Sequence, residues 1–206
     1  MLSQLRPVFA RVLDPVGRGM ARLGITPNLV TMVGTAGVAA SALYFYPRGQ
    51  LFAGTVVVTV FVLADMLDGA VARATGGSSR WGAFLDSSFD RVSDAAIFCG
   101  LILYLLRVDG GAPLVGLALL CLVAGLLVSY VKARAEGLGL RCDVGIAERT
   151  ERLVILLVTI GLTGAGVPYL MWGGLGVLAV LSVVTVVQRV AAVYRQTHAA
   201  ETVGGT

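Results

Sequence analysis

Residues 51–94 read LFAGTVVVTVFVLADMLDGAVARATGGSSRWGAFLDSSFDRVSD: an apolar run that ends in acids, a polar glycine-rich turn, then a second run that begins with acids. Extracted, the pattern is Asp65-x-x-Asp68-Gly69-x-x-Ala72-Arg73, eight residues, and Gly82-x-x-x-Asp86-x-x-x-Asp90. Helical spacings of three and four put each pair of acids on one face. Counted outward from the turn Thr75-Gly76-Gly77-Ser78-Ser79-Arg80, Asp65 and Asp90 lie at matching depths, as do Asp68 and Asp86. Folded as a hairpin, the four carboxylates should point into a single cleft. Gly69 and Ala72 share that face, where small side chains let a bulky ligand reach the backbone. Asp94 continues the row one turn deeper and reads as a hydrogen-bonded supporting residue.

These acids interrupt a chain that otherwise reads as lipid-soluble. A carboxylate within a membrane span costs roughly 3 kcal/mol, so four converging ones need a compensating partner. A pair of divalent cations is the cheapest such partner, and metals held by carboxylates usually serve phosphoryl chemistry. Two competing readings are structural ion pairs with Arg73, Arg80 and Arg91, and a proton or cation relay. Arginines near one hairpin would leave an excess of acid. A conduction path needs polar groups across the full membrane thickness, whereas these acids sit at one face.

With 206 residues, 57% of them apolar, and a mean hydropathy of +0.86, the chain is too hydrophobic for a soluble domain and too short for two domains. The reading is an all-α integral membrane protein with six transmembrane helices, at about 27–46, 51–73, 83–107, 112–135, 148–165 and 171–194. Each approaches the roughly 20 residues a bilayer demands. Thr26-Pro27 opens the first span with a cap and a proline. Turns at Tyr46-Pro47-Arg48-Gly49, Asp109-Gly110-Gly111 and Gly164-Ala165-Gly166 mark one side. Only Arg48 and Arg107 fall in that side's loops, so the other side, with both termini and the aspartates, should be cytoplasmic.

Residues 1–24 read instead as an amphipathic juxtamembrane helix on the cytoplasmic leaflet. Arg11, Arg18 and Arg22 share one face, and Leu5, Val8, Phe9, Val12, Val16 and Leu23 the other. Pro15 and Gly17 should bend or break it. The six-helix domain then spans 25–196, and 197–206 is expected to be a flexible tail. Glycines such as Gly34-x-x-Gly37 suit close helix contacts inside or between protomers. Cys99, Cys121 and Cys142 are scattered and suit neither a disulfide framework nor a zinc site. No cleavable signal is apparent.

On the cytoplasmic side a basic set gathers from distant segments: Ser129, Lys132 and Arg134, then Glu148, Arg149 and Arg152, then Arg189. Span-end arginines such as Arg134, Arg141 and Arg149 read as anchors for anionic lipid. Lys132, Arg152 and Arg189, set deeper in apolar sequence, want an anion and suggest a pocket for a phosphate on the acceptor. Tyr130 reads equally as an interfacial belt residue.

The motif from Asp65 to Asp90 resembles, position for position, that of the CDP-alcohol phosphotransferase family of membrane enzymes in phospholipid synthesis. The resemblance implies a six-helix bundle with an N-terminal amphipathic helix, a homodimer, and two Mg²⁺ or Mn²⁺ ions. It further implies Asp65, Asp68, Asp86 and Asp90 as metal ligands, with Asp90 also the general base. Pro27, Asn28, Thr31, Asp68, Gly69, Ala72, Arg73 and Ser79 would bind CDP-diacylglycerol. The stretches Ser129-Tyr-Val-Lys132-Ala-Arg134-Ala-Glu136 and Glu148-Arg149-Thr-Glu151-Arg152 resemble one actinobacterial branch of the family. That branch takes inositol 1-phosphate as acceptor and releases CMP, which implies Ser129, Lys132, Arg134, Arg152 and Arg189 as its binders. Glycerol 3-phosphate is the competing acceptor, since its phosphate would use the same cluster. No nucleic-acid partner is implied, and the membrane implied is the inner, cell membrane.

Overall fold

The computed structural model describes residues 6–77 and 79–204, with side chains described between residues 14 and 198. Leu5 and Ser78 lie outside the described residues, as do the side chains of Val8, Phe9, Arg11 and Val12. Eight α-helices account for nearly all of what is described: α1 Arg6–Arg22, α2 Pro27–Phe45, α3 Leu51–Asp65, α4 Leu67–Ala74, α5 Arg80–Leu105, α6 Ala112–Gly137, α7 Arg149–Gly164 and α8 Leu170–Gly204. A short 3-10 turn, Tyr46–Arg48, joins α2 to α3 and ends at Gly49, whose φ of 76° only glycine adopts cheaply.

Six helices close into a ring in which α2 packs on α5, α5 on α6, α6 on α8, α8 on α7, α7 on α3 and α3 on α2. Val38, Val58, Ile97, Leu101, Cys121, Ile160 and Leu175 meet at its centre and are essentially fully buried. Among the described residues, four stretches are long and apolar enough to cross a membrane: Pro27–Arg48, Leu51–Ala74, Ala112–Gly137 and Leu170–His198. The two remaining ring members differ in kind. Helix α7 has only 16 residues, and α5 carries Arg80, Asp86, Asp90 and Arg91 within its first half and Asp94 just beyond it.

Close approach, not propensity, explains several glycines. A Cβ on Gly37 would collide with the Phe61 ring, and one on Gly34 would meet Asp65 Oδ1 at 2.9 Å. Both glycines therefore serve contacts within the protomer. A Cβ on Gly100 would come within 2.5 Å of the Ala42 carbonyl oxygen, so α5 and α2 touch backbone to backbone. Gly100→Val should overpack this contact and destabilise by about 2 kcal/mol, read as a lowered melting temperature in detergent. An unchanged melting temperature would mean that the α2–α5 contact yields freely.

Three features depart from expectation. The second span is not one helix: it breaks at Met66 into α3 and α4. Helix α1 runs unbroken through Pro15, which is exposed, so water can satisfy the carbonyl that proline frees. Gly17 is buried, and a Cβ there would stand 2.7 Å from the Ala70 backbone, which seats α1 directly on α4. Residues 197–204, expected as a tail, continue α8.

Candidate functional site

Helices α3 and α5 bring Asp65, Asp86 and Asp90 together so that one oxygen from each lies within 4.8 Å of the others. Among the described residues Asp65 and Asp86 have no ion pair, and Asp65 Oδ1 is buried with no hydrogen-bond partner. An orphaned buried oxygen beside two further carboxylates is an unfavourable arrangement unless a cation compensates it. Hard oxygen donors in this number suit Mg²⁺ or Mn²⁺. The residues fit such an ion.

Asp68 does not join this cluster. Thr31 Oγ1 donates to Asp68 Oδ2 at 2.7 Å, and the Gly69 N–H donates to Asp68 Oδ1. Thr31 on α2 draws the Asp68 carboxylate to its side, just beyond the point where the chain breaks at Met66. The four-acid arrangement expected from the hairpin is thus three acids plus one neighbour turned toward α2.

Asp68 and Asp86 instead line a cleft of about 370 Å³ with Pro27, Asn28, Thr31, Gly69, Ala72, Ser79 and Gly82. Its walls are small or polar because α2 begins there at the Thr26 cap, and α5 begins there with Ser79 Oγ accepting the Gly82 N–H at 2.9 Å. Every residue expected to hold the donor nucleotide lines it except Arg73. That side chain is half-exposed beside Gly69 and donates to Asp14 Oδ1 of α1 at 2.8 Å. Seating α1 on α4 supplies a carboxylate that the motif alone does not reveal.

A second cleft, of about 850 Å³, opens on the other side of the acids. Asp90, Arg91, Ser129, Lys132, Arg149, Arg152 and Arg189 line it. Arg134 is exposed and lies outside that lining, since it points a different way from Lys132 on the same helix. Arg152 and Arg189 are only 7% and 6% exposed, so both guanidiniums are desolvated. Part of their donor capacity is already used: Arg152 donates to the Ala147 carbonyl at 2.9 Å, and Arg189 to the Val128 and Val144 carbonyls at 2.6 and 2.9 Å. Each has N–H groups left for an anion, because a guanidinium carries five.

The same contacts hold the irregular segment 138–148 against α8. Ile146 N–H donates to Gln188 Oε1 at 3.1 Å and Ala147 N–H to Thr185 Oγ1 at 3.2 Å. Gln196 exchanges two bonds with the Arg141 backbone. Side chains of α8 thereby satisfy the loop backbone groups of Arg141, Ile146 and Ala147. Lys132 bonds Asp143 in this segment at 2.8 Å and holds its carboxyl below the usual carboxylate range.

Sequence reasoning missed Arg149. It is no lipid anchor: its Nη1 lies 2.8 Å from Asp90 Oδ1 and its Nη2 3.1 Å from Asp94 Oδ1. Arg91 stands 3.6 Å from Asp90 and donates to Ser129 Oγ. Among the described residues, the ion-pair reading of these acids is therefore realised at Asp90 and Asp94, with Arg91 and Arg149. Nothing in the spacing points to Arg149, although an acid one turn deeper than the motif did require a partner.

The chain matches the family model described as CDP-alcohol phosphatidyltransferase over residues 24–193. It belongs to that family. It is accordingly a multi-pass membrane enzyme of the CDP-alcohol phosphatidyltransferase class. Phosphatidylinositol phosphate synthase of Mycobacterium tuberculosis (strain ATCC 25618 / H37Rv) is 49% identical over 197 residues, covering 92% of this chain and 88% of that one. The protein of the same name from Streptomyces avermitilis is 47% identical over 203 residues, covering 95% and 83%. The crystal structure of the M. tuberculosis synthase with CDP-DAG bound superposes with a TM-score of 0.85 at 48% identity, covering 89% of this chain and 94% of that chain. A second, with manganese and citrate, gives 0.84 at 48% identity, covering 88% of each chain.

Proposed function

We propose that this phosphatidyltransferase is a phosphatidylinositol phosphate synthase, moving the phosphatidyl group of CDP-diacylglycerol onto inositol 1-phosphate and releasing CMP. One observation carries the reading: the acid cluster is the wall between two clefts, with Asp86 lining the small polar one and Asp90 the basic one. A nucleotide lipid on one side and a phosphorylated alcohol on the other would meet at these carboxylates. The names of relatives near half identity support the same substrates.

Asp65, Asp86 and Asp90, with Asp68 beside them, would hold two Mg²⁺ or Mn²⁺ ions. When bound, such ions neutralise charge on the diphosphate and on the leaving CMP. Asn28, Thr31, Gly69, Ala72 and Ser79 shape the donor cleft, and Arg73 stands at its edge on the bond to Asp14. Lys132, Arg152 and Arg189 would hold the acceptor phosphate, with Ser129 beside them. A ring hydroxyl then attacks the β-phosphorus, its proton passes to Asp90, and the bond from that phosphorus to the CMP oxygen breaks.

The proposed setting is a cell-membrane homodimer in which all six ring helices cross the bilayer. Both termini and the clefts face the cytoplasm, and α1 lies in the interface. The position of Arg48 and Arg107 opposite the acid-bearing ends supports this orientation.

Purified protein given CDP-diacylglycerol and Mn²⁺ should release CMP when inositol 1-phosphate is added. Release with glycerol 3-phosphate alone would transfer the assignment to a glycerophosphate acceptor. Lys132→Gln tests the acceptor side with little risk to folding, because Lys132 is more exposed than the buried arginines. Losing one charge-assisted bond should raise the Michaelis constant for inositol 1-phosphate about tenfold. An equal rise for CDP-diacylglycerol would remove Lys132 from the acceptor pocket.

A further inference from the structure

We infer that Arg149, itself held by Asp94, is a positioning residue that orients the Asp90 carboxylate for proton transfer. The inference rests on Asp90 being the base. Arg149 Nη1 meets Asp90 Oδ1 at 2.8 Å, and its Nη2 lies 3.4 Å from the Asp90 carbonyl oxygen. On the other side, Nε and Nη2 lie 3.2 and 3.1 Å from Asp94 Oδ1. A guanidinium is planar, with its N–H directions fixed relative to one another. Anchoring two nitrogens on Asp94 therefore sets the direction in which the third presents its hydrogen to Asp90.

The three groups come from two helices. Asp90 and Asp94 are one turn apart on α5, and Arg149 is the first residue of α7. The pair thus locks the acid-bearing face of α5 to the start of α7, beside the cleft that Arg149 also lines. With Oδ1 engaged by Arg149, the second oxygen of Asp90 stands 3.6 Å from Arg91 Nη2. A lysine at 149 would keep the charge but not the fork, so it could not hold both carboxylates in fixed geometry.

The test compares Arg149→Lys, Asp94→Asn and the double variant with the wild type and Asp90→Asn. The readouts are acceptor-dependent CMP release, Mn²⁺ binding by titration calorimetry, and melting temperature. A base displaced by about 1 Å can lose about a hundredfold in rate. Arg149→Lys should therefore lower kcat by about 30- to 100-fold while the acceptor KM stays within about threefold. Asp94→Asn should lower kcat about tenfold, and the double variant should be no worse than Arg149→Lys, as expected of one shared path.

A raised acceptor KM with kcat preserved would overturn the inference in favour of direct acceptor binding. Loss of Mn²⁺ binding, or a collapsed melting temperature in both single variants, would overturn it in favour of scaffolding. If only Arg149→Lys fails to fold, Asp94→Asn decides: a lowered kcat at unchanged KM supports the inference, and wild-type kcat ends it. An active Asp90→Asn would instead remove the base itself. An inactive Asp90→Asn beside a fully active Arg149→Lys would remove only the role given to Arg149.

Discussion

Asp90→Asn is expected to lower turnover about a thousandfold while CDP-diacylglycerol binding stays within severalfold of wild type. Asparagine keeps the size and one hydrogen-bonding oxygen of Asp90, so the Arg149 guanidinium can still donate to it, now to a neutral acceptor. What it loses is the capacity to accept a proton, and with it one negative charge of the acid cluster. The donor cleft is lined by Asp68 and Asp86 rather than Asp90, which is why lipid binding should persist. Initial rates of CMP release, set beside equilibrium binding of CDP-diacylglycerol, measure the two effects separately. Turnover within threefold of wild type would exclude Asp90 as the base.

Asp86→Ala should have a comparable effect by a different route. Asp86 is exposed and makes no ion pair among the described residues, so its removal leaves no buried group stranded. It does take one oxygen donor from a cluster whose members lie within 4.8 Å. Changing residues that merely support a metal ligand costs about 10- to 100-fold in affinity, so losing a ligand should cost at least about 100-fold. Calorimetric titration with Mn²⁺ reads this directly, and turnover should fall with it. Without metal the variant should melt no lower than wild type, because one of three like charges has gone. Mn²⁺ affinity equal to wild type would mean that the ion sits elsewhere.

Much of the bundle was legible in one dimension. Apolar runs separated by glycine-rich turns locate the starts of the ring helices to within three residues, while the ends of the second and sixth runs differ by eight and ten residues. That Pro27, Asn28, Thr31 and Ser79 would share one polar cleft was legible because they cluster at helix starts: the first three behind the Thr26 cap, and Ser79 as the cap of α5. The break at Met66 was not, because Asp65 through Arg73 keeps an unbroken helical period. Arg73 seemed free to reach the nucleotide until α1 placed Asp14 against it. Arg134 and Lys132 looked equivalent in sequence, and only their directions around α6 separate them.

The spacing of the aspartates, the lengths of the apolar runs and the sidedness of the basic residues follow from sequence alone, because helical period and transfer from water are local properties. Which acids converge, which turns aside to Thr31 and which arginine steadies Asp90 were decided by the packed bundle. Arg149 lies 59 residues from Asp90, and no local period can say that α7 will start beside α5. Only closure of the helix ring brings those two side chains within reach of each other.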